Sequence, residues 1–255
     1  MTTTFLNPPS YASSNHTVTL VPAQTPFVVR DDVEIKGGFA CLSFTHAGQR
    51  QIVEFLLPHD CLCAGDEEED PRFRLFALST VELIPLTAER APMEQRARRA
   101  RRALSMARQG LINVGTRQAL PRCAHLFCEL FTRAQAAGLS RDLSCPLPIR
   151  QSDIADALGL TPVHVNRTLR LLREKELVTW RRGVLRIHDF VKLQRCCGFN
   201  PSYLGLAAEG ATSNDDLIPL RPAKEAPHAA FVPGSARPIL SLRPNGDSDG
   251  APRRQ

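Results

Sequence analysis

The stretch that most constrains this chain runs from Ile154 to Leu169, IADALGLTPVHVNRTL. Ile154, Ala155 and Leu158 fall at i, i+1 and i+4, the buried stripe of a short helix. Gly159 follows the last apolar turn, where a helix commonly ends in a left-handed residue that glycine adopts without cost. Leu160 supplies an apolar plug and Thr161 can cap a new helix through its hydroxyl. Pro162 suits the first helical position, because its missing N–H would be unpaired there anyway. Val165, Leu169 and Leu172 then repeat at i, i+4 and i+7, which turns Val163, Asn166, Arg167 and Arg170 to the other side. Two helices on a short turn, with small Ala155 where they cross, predict a helix-turn-helix over 151–170. Spacing alone does not separate that motif from a plain αα-hairpin.

The next segment favours the first alternative. LVTWRRGVLRIHD, residues 177–189, reads as two short β runs joined by Arg181-Arg182-Gly183. A β-hairpin directly after the second helix makes a wing. Arg167, Arg170, Arg173, Lys175, Arg181, Arg182 and Arg186 outnumber Glu174, Glu176 and Asp189 on this segment. A basic winged helix fits a polyanion, because neutralising phosphates releases counterions and drives binding.

The rest of the chain sets bounds. A length of 255 residues holds one or two domains with real cores, and a net charge of +6 is compatible with nucleic acid without requiring it. No secretory n-region precedes an apolar stretch, and no apolar run reaches the roughly 20 residues of a membrane span. A cytoplasmic protein without membrane attachment is therefore expected. The eight cysteines include no CxxC pair, and Cys123, His125 and Cys128 step around a helix rather than along one face. Buried or idle thiols are expected, and no metal site. The chain lacks GxSxG, GxxxxGK[ST] and HExxH, so it is read as a non-enzyme.

Along the chain, residues 1–16 are rich in Ser, Thr, Pro and Asn and are read as a disordered N-terminus. Residues 17–91 carry β-like runs (TVTLVP, PFVV, FACLSF, RQIVEFLLP, RFRLFAL and TVELIPL) with turns at Gly37-Gly38, Ala47-Gly48 and Pro58-His59-Asp60, which predicts an all-β roll. Within it GDEEEDP is an acidic, solvated loop. Residues 92–117 predict a long helix in which Met93, Ala97, Ala100, Leu104, Ala107, Leu111 and Val114 form an uninterrupted a/d seam. That seam points to a homodimer; the rival is a helix packed only on its own β domain. Arg96, Arg98, Arg99, Arg101, Arg102 and Arg108 lie mostly off the seam and read as a solvated flank. A further helix is expected over Gln118 to Ala137, ended by Gly138. Residues 118–193 form the winged-helix domain, 194–204 its C-terminal extension, and 205–255, Pro- and Ala-rich without periodicity, a disordered tail.

In this order of parts the chain resembles the Crp/Fnr superfamily of bacterial transcription regulators. The resemblance is most specific over LPIRQSDIADALGLTPVHVNRTLRLLREKELVTWRRGVLRIHDFVKLQRCCGFNPSYL. It continues upstream through GGFACLSFTHAGQRQIVEFLLPHDCLC and STVELIPL, covering about 17–204. It implies an α+β fold: an N-terminal roll like a cyclic-nucleotide-binding domain but abbreviated, a dimerisation helix, and a C-terminal winged helix-turn-helix. It implies double-stranded DNA as partner, with RNA polymerase as a further one. The helix beginning at Thr161 would enter the major groove, and Arg167 falls where members place an arginine on a guanine edge, a bidentate contact that Arg suits and Lys does not. Val163 stands where many members carry a base-reading Glu. Val cannot accept a hydrogen bond from cytosine but can touch a thymine methyl. His164 and Asn166 become base or phosphate contacts, and Arg170 lies on the same outward side. Ser152, Arg181 and Arg182 would position the phosphate backbone.

The effector motifs depart from the pattern. Where cyclic-nucleotide members carry a Gly-Glu pair and an Arg-Ser/Thr-Ala stretch, this chain reads CAGDEEEDPRFRLFAL. Arg72 lies close to the phosphate-binding Arg, as a weak cofactor-binding candidate, but Phe73 and Leu75 are bulky and the acidic run repels phosphate. The first cysteine is Cys41, so the N-terminal cluster of iron–sulfur members is missing. Neither a cyclic nucleotide nor an iron–sulfur cluster is expected. The expected function is a dimeric, operator-specific transcription regulator. The alternative is a winged-helix interaction scaffold whose basic face docks an acidic partner without operator-specific DNA binding.

Overall fold

The alternating N-terminal runs pair into two facing sheets. A computed structural model describes residues 10–11, 18–62, 72–86 and 93–206. Strands β1 (Ser10–Tyr11), β2 (Thr19–Val21), β3 (Pro26–Val29), β4 (Val33–Gly37), β5 (Ala40–His46), β6 (Gln49–Leu56), β7 (Cys61–Leu62), β8 (Phe73–Ala77) and β9 (Val81–Pro85) build the roll. One sheet has the order β1-β3-β8-β5-β6 and the other β2-β9-β4-β7. Their inner faces bury Val21, Phe27, Ile35, Leu56, Leu75 and Leu83 among other apolar side chains. Period-2 burial appears along β3, where Phe27 and Val29 are buried between more exposed neighbours. At Gly38, with φ +85°, an added Cβ would lie 2.0 Å from the Thr80 carbonyl oxygen, so only glycine lets the two backbones approach there.

Two expectations change here. The segment VEIKG, absent from the β-like runs named above, is strand β4, paired antiparallel with β9 and β7. Ser10–Tyr11, placed in the disordered N-terminus, pairs in parallel with Val28-Val29. The acidic GDEEEDP loop and all but two residues each of the expected N-terminal and C-terminal disordered segments lie outside the described residues.

Helix α1 runs Met93–Thr116 and α2 runs Ala119–Ala136. On α1, Met106 and Asn113 are buried, with Arg99, Arg102 and Gln109 half-buried on the same stripe. Leu104 and Leu111 are 51% and 76% exposed, with Ala100 and Ala107 beside them. Two residues apart on a helix is about 200° of rotation, so seam and packed stripe lie on opposite sides. Within this one chain, Ala100, Leu104, Ala107 and Leu111 of the seam are exposed, whereas Ala97 and Val114 are half-buried. The side chain of Met93 lies outside the described part.

The packed stripe corrects the reading of the arginines as a solvated flank. Arg96 reaches Asp32 at 2.7 Å and Arg102 reaches Asp60 at 3.7 Å, so two of them tie α1 to the roll. Asp60 also holds Arg133 of α2 at 2.6 Å, and Arg133 donates to the Phe55 carbonyl at 2.7 Å. Tyr203 donates to Glu129 at 2.7 Å on the other side of Arg133. Burial alone would lower the Arg133 pKa, but Asp60, Glu129 and Glu54 around it raise it instead. Burial pushes Glu54 up to about 7, against the pull of Arg133. Roll, α1 and α2 thus meet at a charged knot rather than at a plain apolar seam.

One apolar core continues from the knot into the C-terminal half, joining Phe39, Ile52 and Phe55 of the roll to Phe127, Phe131, Ile154, Leu172, Leu185 and Leu204. Helices α3 (Gln151–Leu158), α4 (Pro162–Glu174) and α5 (Phe190–Cys197) are interleaved with strands β10 (Ser144–Pro146), β11 (Val178–Arg181) and β12 (Val184–Ile187), and a 3-10 turn closes the part at Pro201–Leu204. The expected break at 193/194 falls inside α5. Cys41, Cys123, Cys128, Cys145 and Cys197 are buried, and Cys128 and Cys197 face each other at 4.0 Å between α2 and α5. Among the described residues no group of His, Cys, Asp and Glu has the arrangement of a metal site, and no helix is long and apolar enough to cross a membrane.

Candidate nucleic-acid interface

Local chemistry builds the two central helices much as their sequence dictates. The Asp153 carboxylate accepts from the Arg150 N–H at 2.7 Å, closing the first turn of α3. Ile154, Ala155 and Leu158 are buried. Gly159 ends α3 at φ 60°, ψ 38°, the left-handed conformation, and its N–H bonds back to the Ala155 carbonyl. Thr161 caps α4 through its hydroxyl, which accepts from the His164 N–H at 3.3 Å, with Pro162 at the first helical position. The inward face of α4 differs in one detail from the expected stripe. Val165 and Leu172 are fully buried, but Leu169 is only partly so, and Thr168 is buried instead with its hydroxyl donating to the His164 carbonyl at 2.8 Å.

The wing has three strands, because β10 pairs with β12 beyond the expected hairpin of β11 and β12. The connection is shorter than the expected Arg181-Arg182-Gly183. Arg181 belongs to β11 and pairs with Val184, leaving Arg182 and Gly183 as a two-residue turn with φ 51° and 72°. Positive φ at both residues is the primed turn that matches the twist of a hairpin. Trp180 donates its indole N–H to the Leu147 carbonyl at 3.2 Å, anchoring the wing to the segment before α3.

The residues singled out from sequence in this part are all exposed. Ser152 is exposed in the first turn of α3, and Thr161, Val163, His164, Asn166, Arg167 and Arg170 are exposed on α4. Arg181 and Arg182 are exposed on the wing. Their immediate partners differ. The His164 ring lies 3.2 Å from the Thr161 hydroxyl, and Asn166 donates weakly to Gln151 at 3.4 Å. Arg170 sits 3.5 Å from Glu174, a pair in which both side chains are more than half exposed. Such a surface pair is worth about 0–1 kcal/mol, little enough for a phosphate to displace it. Arg167 makes no hydrogen bond or ion pair among the described residues. Arg72 is exposed at the roll, with its guanidinium over the Phe44 ring at 4.9 Å.

Sequence reasoning missed how α3 is held. Arg50, from the β5–β6 hairpin, donates to Asp156 at 2.7 Å and to Asp153, and Gln51 donates to the Ala157 carbonyl at 3.2 Å. Arg122 of α2 donates to the Leu158 carbonyl at 2.9 Å. The side of α3 away from α4 is thereby clamped to roll and α2, while α4 keeps its outer face open. An Arg in a hairpin and two Asp residues about a hundred positions later give no local signal of pairing.

Residues 121–196 match the family of Crp-like helix-turn-helix domains. The nitrogen fixation regulation protein FixK of Rhizobium meliloti (strain 1021) is 32% identical over 138 residues, which cover 52% of this chain and 62% of that protein. The protein of the same name from Azorhizobium caulinodans is 32% identical over 151 residues, 54% of this chain and 60% of that one. The chain therefore spans about three fifths of the length of these relatives. Among solved structures, FixK2 from Bradyrhizobium japonicum superposes with a TM-score of 0.56 at 22% identity, over 71% of this chain and 96% of that one. TTHB099, a Crp-family transcriptional regulator from Thermus thermophilus, gives 0.54 at 17%, over 71% and 97%.

Proposed function

We propose that this chain, which belongs to the Crp/Fnr superfamily, is a dimeric, sequence-specific DNA-binding transcription regulator that inserts α4 into the major groove. The observation that carries the reading is the outer face of α4. An arginine without an internal partner among the described residues stands exposed there at mid-helix, with Arg170 three positions on, and Arg181 and Arg182 are exposed on the wing. A guanidinium left unpaired at a surface keeps its full bidentate geometry for a guanine O6/N7 edge. Arg170, Ser152, Arg181 and Arg182 are assigned to the phosphate backbone, where they fix register.

The homodimer is part of the same proposal. Ala100, Leu104, Ala107 and Leu111 form an exposed stripe opposite the packed side of α1, and a second copy covering it would set two α4 helices on two half-sites. For the roll we propose a role that needs neither a cyclic nucleotide nor an iron–sulfur cluster. Its described interior is an apolar core, and Arg72 is stacked on Phe44 outside that core. No catalysis is assigned to the chain. It would act in the cytoplasm, where its DNA is, with RNA polymerase as a further partner.

Selection from random duplex DNA tests the proposal. The parent protein should enrich an inverted repeat whose half-sites are about one helical turn apart. Arg167→Ala should weaken binding to that repeat by about 5–150-fold, the range for losing one bidentate base contact, with little change on unrelated DNA. No enrichment by the parent, or equal binding by the variant, would overturn it.

A further inference from the structure

Two thiols from distant parts of the chain meet where α2 and α5 pack. Cys128 lies at mid-helix in α2 and Cys197 ends α5, with their sulfurs 4.0 Å apart across a sequence separation of 69. Both are buried. A second contact joins the same two helices, Phe131 against Phe190 at 5.4 Å between ring centres. A disulfide holds its sulfurs about 2 Å apart, so closure asks for an approach of about 2 Å. Rotation of the side chains and a small shift of the eight-residue α5 supply it.

The two thiols are not equivalent. Burial holds the Cys128 thiol well above its ordinary range, so it keeps its proton. Hydrogen bonding from Cys128 lowers the Cys197 thiol against the pull of burial, and the Phe199 N–H and the charge of Arg117 add to it. Arg117 also donates from Nε to the Cys197 carbonyl at 2.8 Å, which offsets the negative end of α5. Its Nη1 is buried and has no partner among the described residues. In the reduced fold Cys197 donates to the Leu193 carbonyl at 3.2 Å. A sulfur that loses that proton has a thiol donor and a guanidinium close by, the setting of a nucleophilic thiolate.

We propose that Cys128 and Cys197 form a peroxide-reactive dithiol site, in which Cys197 is the attacking sulfur and Cys128 the resolving one. The Cys197 thiolate attacks one oxygen of hydrogen peroxide, the O–O bond breaks, and a sulfenic acid forms. The hydroxide released takes up the proton that Cys197 gave up and becomes water. Cys128 then attacks the sulfenic sulfur, the S–O bond breaks, and that hydroxyl leaves with the Cys128 proton as a second water. Two thiols thus lose two electrons to one peroxide and end as a disulfide. Peroxide is small, and Cys197 sits in a last helical turn next to exposed Gly198. The link would fasten α5, which follows the wing, to α2, which Arg133 ties to the roll. This inference stands apart from the DNA-binding reading.

The test uses the full chain, reduced, desalted and exposed to a small molar excess of hydrogen peroxide. The chain is then denatured, alkylated with N-ethylmaleimide and weighed, both intact and after proteolysis. The oxidised parent should carry two fewer alkylated thiols than the reduced parent, with Cys128 and Cys197 in one linked peptide pair that dithiothreitol separates. Cys128→Ser should stop at a sulfenic acid on Cys197, captured by dimedone, and Cys196→Ser should keep the link. The parent alone decides whether the link forms, so a buried serine that disturbs folding does not spoil the test. Full alkylation of Cys128 and Cys197 after peroxide, or a link in which Cys196 replaces either one, overturns the inference. A dimedone adduct on Cys128 of Cys197→Ser, with none on Cys197 of Cys128→Ser, overturns the assigned order of attack.

Discussion

At the residue scale, polar side chains divide by what partners them, and their types alone do not announce the division. Arg133 is 3% exposed and Arg167 lies open, yet both are arginines on amphipathic helices. His125 belongs with the first group. It is 1% exposed, Gln109 lies 3.1 Å from its Nε2, and Phe199 and Tyr203 pack on its ring. Burial, and then the positive charge of Arg117, lower its pKa to about 4. In the unfolded chain the same group titrates near 6.5. The unfolded state therefore binds the extra proton first, and stability falls as pH drops from about 6.5 toward 4. Thermal melts across that window should show a loss on the order of 3 kcal/mol attributable to this residue. His125→Gln should flatten that part of the curve, and identical slopes for variant and parent would refute the assignment. Cys123, His125 and Cys128 resemble ligand candidates in sequence, but in the fold they are separate buried packing groups of α2.

At the element scale, the segments legible from sequence are those governed by neighbours along the chain. Gly159, Thr161 and Pro162 specify the turn between α3 and α4 through φ, cap and missing N–H, all of them local properties. The wing was legible in outline, but its turn was one residue too long, because Arg181 reads equally well as loop or strand end. Strand β10 was missed because its three residues, SCP, carry no periodicity and pair only after the chain returns at β12. On α1 the apolar seam was legible from its spacing. The opposite stripe was not, since Arg99, Arg102, Gln109 and Asn113 are residues expected in water. That exposed seam yields the prediction proper to this scale. The double variant Leu104→Asp/Leu111→Asp should fold normally and sediment as a monomer at concentrations where the parent is a dimer. Like charges facing each other across a helix pair oppose association, whereas both positions are open to solvent in the single chain. An unchanged sedimentation coefficient would mean that the seam is not the dimer interface.

For the whole molecule, the consequence of the fold is that α4 and the roll are not independent beads. Arg50 ties the β5–β6 hairpin to α3, Arg133 ties α2 to the roll at Asp60, and one apolar core runs through both halves. These ties span about seventy to a hundred positions in the chain, which is why the general order of parts was readable but their mutual anchoring was not. The same anchoring leaves one side of α4 open and orients it as a unit. The claim that Arg167 on that side lies against a guanine in the major groove is tested most directly by dimethyl sulfate protection, because the reagent methylates guanine N7 on that groove edge. Bound to its selected operator, the parent protein should shield one guanine N7 in each half-site, and Arg167→Ala, at concentrations that saturate the DNA, should leave that guanine reactive. Guanines that stay reactive under the parent, or protection that survives the substitution, would contradict the account.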